Sequence, residues 1–338
     1  MNKRVAAFGE VMMRMQVPGF DLLSQADTLK YSFSGTGVNV ASALSRFGHT
    51  ASLVTILPDN ALGEAAKSYV QKLGITSQFI TRQGQYLGMY FLENGFGVRS
   101  SRVTYTNRLG STFNTASADA YDYDTIAQNI DAIHFCGIAL SMNDGVRQHM
   151  VALANSVKKQ GGLVIFDCNY RPSLWGEQSY ERAKPYYEKM LTLSDIVFMN
   201  EKDALLTLAM QTQKTTRHDQ LLDLLPQIAE KYAISVIAGT HRAINGDNTN
   251  SLRGFMLKND QFTFADELVF SVYDRIGAGD AYASGIIHGQ LTNMSASETV
   301  AFAASASMLA HTTVGDTPMS TIRDVEQAMQ GFVKDVER

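Results

Sequence analysis

"DRIGAGDAYASGII", residues 274–287, sets two glycines and an aspartate just ahead of a run of small and apolar residues. Gly277 and Gly279 open backbone conformations closed to other residues and let main-chain N–H groups come close to a ligand. A helix beginning near Asp280 would aim unpaired N–H groups and the positive end of its dipole at the same spot, which suits an anion. Ala281, Ala283, Ser284 and Gly285 are small enough for that helix to pack tightly on a sheet. Asp280 can be a plain N-cap or a base toward a hydroxyl group. This stretch alone leaves both readings open.

Outward from it, short apolar runs rich in β-branched residues alternate with helix-like segments. "RVAAFGEVM" (4–12), "ASLVTIL" (51–57), "AIHFCGI" (132–138), "GLVIFDCN" (162–169), "DIVFMN" (195–200) and "ISVIAG" (234–239) read as strands. Helical patterns lie between them, as at 38–48, 63–73, 143–160 and 219–232. That alternation implies an α/β domain with a mostly parallel central sheet and helices on both sides. Two regions break the rhythm. "LKYSFSG" (29–35), and "LGMYFLENG" with "SRVTYTNR" (87–108), alternate apolar and polar residues with no helix between them. They are expected to form a small, half-exposed sheet inserted from about 11–35 and 86–110 into one domain spanning 1–338. Such a sheet could cover a site as a lid.

The 338 residues are 45% hydrophobic with a formal net charge of −4, so no nucleic-acid or anionic-membrane footprint is expected. No apolar run reaches the roughly 18 residues that span a bilayer. Cys136 and Cys168 sit in apolar runs without CxxC or Cys/His spacing, which reads as two reduced core residues of a cytoplasmic protein. Neither GxGxxG nor GxxxxGK[ST] occurs, which disfavours a dinucleotide oxidoreductase and a Walker-type ATPase.

A second glycine-rich stretch is "FSGTGVNVASALSRFGH" (33–49). Gly35 and Gly37 make a flexible turn, and Asn39 stands at the entry of a helix with Val40, Ala43, Leu44 and Phe47 on its apolar face. Exposed backbone and an amide at that point could hydrogen-bond a polyhydroxylated ligand.

Together the two stretches resemble the paired signatures of the PfkB, or ribokinase-like, carbohydrate kinases, in the same order and at a similar separation. The resemblance covers nearly the whole chain. It implies a three-layer α/β/α fold with a β-sheet lid, Asp280 as catalytic base, and Gly277, Ala278 and Gly279 as an anion hole around the transferred phosphoryl group. Gly35, Gly37 and Asn39 would meet the sugar, with ATP and Mg²⁺ as cofactors. Several stretches look most like the 2-keto-3-deoxygluconate kinase branch, namely "FGEVMMRM", the two lid segments and "FDCNYRPSLW". A sugar acid needs a cation, and the resemblance implies a lid arginine, Arg108, with Asn107 as the alternative one residue away. Tyr90, Tyr105 and Asp316 would join the substrate. Asn169, Arg171, Asn200, Gly239 and Thr240 would face the nucleotide, with Arg171 reaching toward the substrate as well. The implied product is the 6-phosphate. The alternatives are a neutral-sugar kinase of fructose or ribose type, a kinase for another deoxy sugar acid, and a silent sugar-binding regulator.

Three departures stand out. Arg275 occupies the usual threonine place before the signature helix. "NEKD" (200–203) puts Asp203 where the family has glutamate, so its implied contact to magnesium runs through water. The segment "AGTHRAINGDN" (238–248) replaces the usual nucleotide loop. The exposed lid edges are expected to allow a homodimer through the lids.

Overall fold

The computed structural model describes residues 2–331. In chain order the first strands are β1 (Arg4–Phe8), β2 (Met12–Gln16), β3 (Lys30–Ser34), β4 (Thr50–Leu57), β5 (Ile80–Arg82), β6 (Gly88–Glu93) and β7 (Arg102–Thr106). Then follow β8 (Ala132–Cys136), β9 (Leu163–Asp167), β10 (Ile196–Phe198), β11 (Val236–Ile244), β12 (Asn250–Lys258), β13 (Gln261–Phe264) and β14 (Leu268–Phe270).

A 10-stranded sheet runs β13-β12-β11-β10-β9-β8-β1-β4-β5, with β14 also pairing β12. Strands from β11 to β5 are parallel, while β12, β13 and β14 form an antiparallel edge. The inner parallel strands are buried on both faces. In β1, Val5 and Ala7 enter one core with Leu44, Ile286 and Phe302, while Ala6 and Phe8 enter the other with Met150, Leu191 and Leu224. Helices Thr36–Arg46, Ala278–Thr292 and Ala296–Ala310 therefore cover one face, and helices Asp144–Lys159, Ser179–Leu193 and Arg217–Tyr232 cover the other. The chain has the three-layer α/β architecture read from its strand–helix alternation.

A separate sheet runs β3-β2-β6-β7. The run "RVAAFGEVM" is thus two strands in two sheets, not one. β1 ends at Phe8, and Gly9–Val11 carries the chain across to β2. Gly35 brings it back, at φ 159 and packed so closely that a Cβ there would lie 2.2 Å from the Glu10 carbonyl oxygen. A second revision concerns 238–248. Most of that segment is not a loop, because β11 continues to Ile244 and pairs residue by residue with β12 from Asn250 to Lys258.

On β1's two sides lie β4 and β8, so the strand order reverses there, and the carboxyl ends of β1, β8, β9, β10 and β11 share one edge. Open α/β sheets place their ligand crevices at such a reversal.

Candidate active site

Two cavities meet along that edge. One, of about 500 Å³, lies between the sheet edge and the small sheet, and is lined by Glu10, Asn39, Tyr105, Arg108, Asp280 and Asp316 among others. The second, of about 660 Å³, extends over β10 and β11 and includes Asn200, Asp203, Gly239 and Thr240. Asn169, Arg171, Arg242 and Gly279 face both, so the two adjoin at the start of helix Ala278–Thr292.

That helix begins at Ala278, two residues earlier than the sequence suggested, after Gly277 at φ 84. A Cβ on Gly277 would lie 1.7 Å from the Asp316 carbonyl oxygen, so this position requires glycine in both conformation and space. Asp280 falls in the first turn and is buried, its Oδ2 accepting a hydrogen bond from Asn39 Nδ2 at 2.7 Å. Thr317 Oγ1 donates to Asn39 Oδ1 at 3.3 Å, which fixes the amide so that its NH₂ faces the carboxylate.

Burial pushes Asp280 up to about 7. The Asn39 bond and Arg171 pull it down, while the nearby Asp167 raises it. Asp167 is likewise raised to about 7 and Asp203 to about 6, mainly by burial. A carboxyl group poised near neutrality beside a cavity is suited to accept a proton from a hydroxyl group.

On the lid side Tyr90 donates to Asp316 Oδ2 at 2.7 Å and sits 2.7 Å from Ser34 Oγ. Arg108 Nε donates to Glu10 Oε2 at 2.9 Å and lies over the Tyr105 ring, 4.9 Å from its centroid. Its Nη1 is buried and has no hydrogen-bond partner among the described residues, leaving donor capacity beside the cavity. Asn107 takes a left-handed turn at φ 48, packs against Gly110 and does not line the cavity, whereas Arg108 does.

Two other sequence candidates stand back from the cavities. Gly37 packs against Gly9 and Leu53, where it lets the two lid crossings approach, and Ala278 is buried behind the helix start.

Sequence reasoning missed several residues. Arg14, 1% exposed, is ion-paired with Asp316 and lies 3.6 Å from Asp274; its signal was a lone cation within the apolar run "VMMRM". Burial pushes Glu201, beside Asn200, upward, but the hydrogen bonds of His241 at 2.9 Å and Arg217 at 2.5 Å, with a backbone N–H and the His241 charge, together hold it down to about 2. Asp167 lay in view inside "FDCNYR". Thr317 carried no signal.

The model of the pfkB family carbohydrate kinases matches residues 2–323. The chain belongs to the pfkB family of carbohydrate kinases. This pfkB kinase is 24% identical over 338 residues to the 2-dehydro-3-deoxygalactonokinase of Haloferax volcanii, with all of both chains covered. Among solved structures, one from Enterococcus faecalis, provisionally assigned as a 2-keto-3-deoxygluconate kinase, is 36% identical with a TM-score of 0.95, covering 100% of this chain and 99% of its own. The 2-dehydro-3-deoxygluconokinase of Thermotoga maritima is 29% identical with a TM-score of 0.92, covering 98% and 99%. The pfkB signature glycines and aspartate thus stand here on a whole ribokinase-like frame. Among the described residues, no helix of this kinase is long and apolar enough to cross a membrane.

Proposed function

We propose that this pfkB kinase transfers the γ-phosphoryl group of ATP to the primary hydroxyl of a sugar acid, with 2-keto-3-deoxygluconate as substrate and its 6-phosphate as product. The observation that carries this reading is the pairing, in one cavity, of a buried Asp280 near neutrality with an arginine, Arg108, that keeps an unpartnered nitrogen. The first supplies a base for a hydroxyl group, and the second a partner for a carboxylate. The names of the three relatives, all kinases of 2-keto-3-deoxy sugar acids, point the same way.

In the proposed reaction Asp280 takes the hydroxyl proton as the new O–P bond forms and the bond to the β-phosphate oxygen breaks. Gly277, Gly279 and the helix start steady the charge that develops on the transferred group. Gly35, Asn39, Tyr90, Tyr105 and Asp316 would hold the sugar, with Asn169, Arg171, Asn200, Gly239 and Thr240 facing the nucleotide. Among the described residues no group of three or more His, Cys, Asp or Glu side chains could hold a metal ion. Mg²⁺ would be carried mainly by the phosphates, with Asp203, which lines the nucleotide-side cavity, meeting it through water, and the ion would supply charge neutralisation there.

A second reading, a kinase for a neutral sugar of fructose or ribose type, is favoured by the Glu10–Arg108 pair, since that arginine already has a counter-charge. A sugar panel with ATP in a coupled ADP assay separates them. Turnover concentrated on 2-keto-3-deoxy sugar acids supports the proposal, and preference for neutral sugars overturns it. Absence of ADP formation with every sugar would leave a binding regulator.

A further inference from the structure

Arg275, which stands in the usual threonine place before the signature helix, acquires a partner in the tertiary structure. Arg242, on β11, also lines the sugar-side cavity, and it alone of the two reaches the nucleotide side as well. Among the described residues neither guanidinium group has a hydrogen bond or an ion pair. The one carboxylate beside Arg275 in sequence, Asp274, is already engaged. Its Oδ1 accepts the main-chain N–H groups of Arg275 and Ile276, and its Oδ2 accepts from Gly315 and faces Arg14.

The two cations line one cavity, and their charges act on each other. Burial and then the charge of Arg275 push the Arg242 guanidinium down from its usual value, and the buried His311 is lowered by both arginines after burial. Two unpaired like charges held together at a cavity wall repel, and an anion between them removes that cost. The cavities they join are where a phosphoryl group would pass from nucleotide to sugar. The carboxylates on that wall, Asp167, Asp203 and Asp280, would otherwise oppose its charge.

We propose that Arg242 and Arg275 form a guanidinium pair that holds the terminal phosphoryl group at the junction of the two cavities, beside the Gly277–Gly279 helix start. The pair takes no proton and forms no bond. Guanidinium groups match phosphate oxygens in geometry and offset charge that builds during transfer. The proposal rests on phosphoryl transfer from ATP but not on which sugar accepts it.

The test uses the full-length R242A, R275T and double variants, with R242K and R275K as charge-retaining controls for folding. Binding of ADP and of a non-hydrolysable ATP analogue is measured by calorimetry, which needs no sugar, alongside kcat on the best sugar of the unmodified enzyme. The expected result is a loss of about 10-fold or more in analogue affinity with ADP nearly unchanged, kcat down by about 10- to 100-fold, and partial recovery in the lysine variants. Equal losses for ADP and the analogue, a loss confined to KM for acidic sugars, or no change in any quantity would each overturn the pair's role. The sugar preference of the unmodified enzyme separately decides the sugar-acid reading.

Discussion

Asn39 and Asp280, 241 residues apart, share a buried hydrogen bond of 2.7 Å from Nδ2 to Oδ2. It works against the burial that raises the carboxyl group to about 7, because the amide NH₂ favours the charged form. A base must be deprotonated to act, so turnover is expected to fall as pH drops through about 7. In N39A the carboxyl group rises further, and the acidic limb of the kcat–pH profile moves up by about one unit, the worth of a charge-assisted hydrogen bond of roughly 1.4 kcal/mol. Turnover near pH 9 then recovers more than turnover near pH 7. A limb that stays in place assigns it to another group.

Asp280→Asn is expected to lower kcat by about 100-fold or more while sugar binding, read by calorimetry, is largely kept. The same change has a stability consequence of opposite sense. A carboxyl group whose folded-state value is raised from 3.8 to about 7 costs stability progressively as pH rises from about 4 to 7. The variant should therefore melt above the wild type at pH 8, with the gain vanishing near pH 4. A variant that keeps near-normal turnover removes Asp280 from the base role.

Gly277 and Gly279 should respond differently to alanine. At Gly277, with φ 84, a Cβ would collide with the Asp316 carbonyl, so G277A is expected to lose more than about 1 kcal/mol of stability in urea unfolding, along with activity. At Gly279 no atom of the described residues lies within 4 Å of an added Cβ, and the residue faces both cavities. G279A should keep its melting temperature and lose kcat, because the methyl group meets the ligand instead of the protein.

Arg108→Ala should raise KM for acidic sugars much more than for neutral ones. Glu10 holds Arg108 at 2.9 Å and also accepts from Ser111 Oγ at 2.7 Å and Asn114 Nδ2 at 3.2 Å, so it ties the end of the lid hairpin to the β1–β2 crossing. E10Q keeps the shape but weakens the tie, and should produce a smaller loss in the same direction. Equal effects on both sugar classes would sink the carboxylate assignment.

His49 Nε2 and His288 Nδ1 lie 3.0 Å apart and are buried, the first just past helix Thr36–Arg46 and the second on helix Ala278–Thr292. Burial lowers both, and takes His288 from 6.5 to about 4. A histidine depressed in the fold costs nothing above its unfolded value, and destabilises increasingly as pH falls from about 6.5 to 4. H288F should therefore narrow the difference in melting temperature between pH 7.5 and pH 4.5. An unchanged difference would place the acid sensitivity elsewhere.

The sequence by itself determined the layered α/β frame, because strands buried on both faces must be apolar throughout and their helices must alternate with them. It also marked the two glycine-rich turns and Asp280, since close backbone approach leaves few residue choices. What it could not determine depends on contacts between distant segments. Arg14 was a lone cation in an apolar run with no partner in view until Asp316 and Asp274 were brought against it, and Thr317 had no reason to stand out before it met Asn39. The segment 238–248 read as a loop because its pairing partner, β12, lies further on in the chain. Only the tertiary structure showed that "GAGD" borders two cavities as well as starting a helix. Burial and Asn39 together set the charge of Asp280, and neither is written in the residues that flank it.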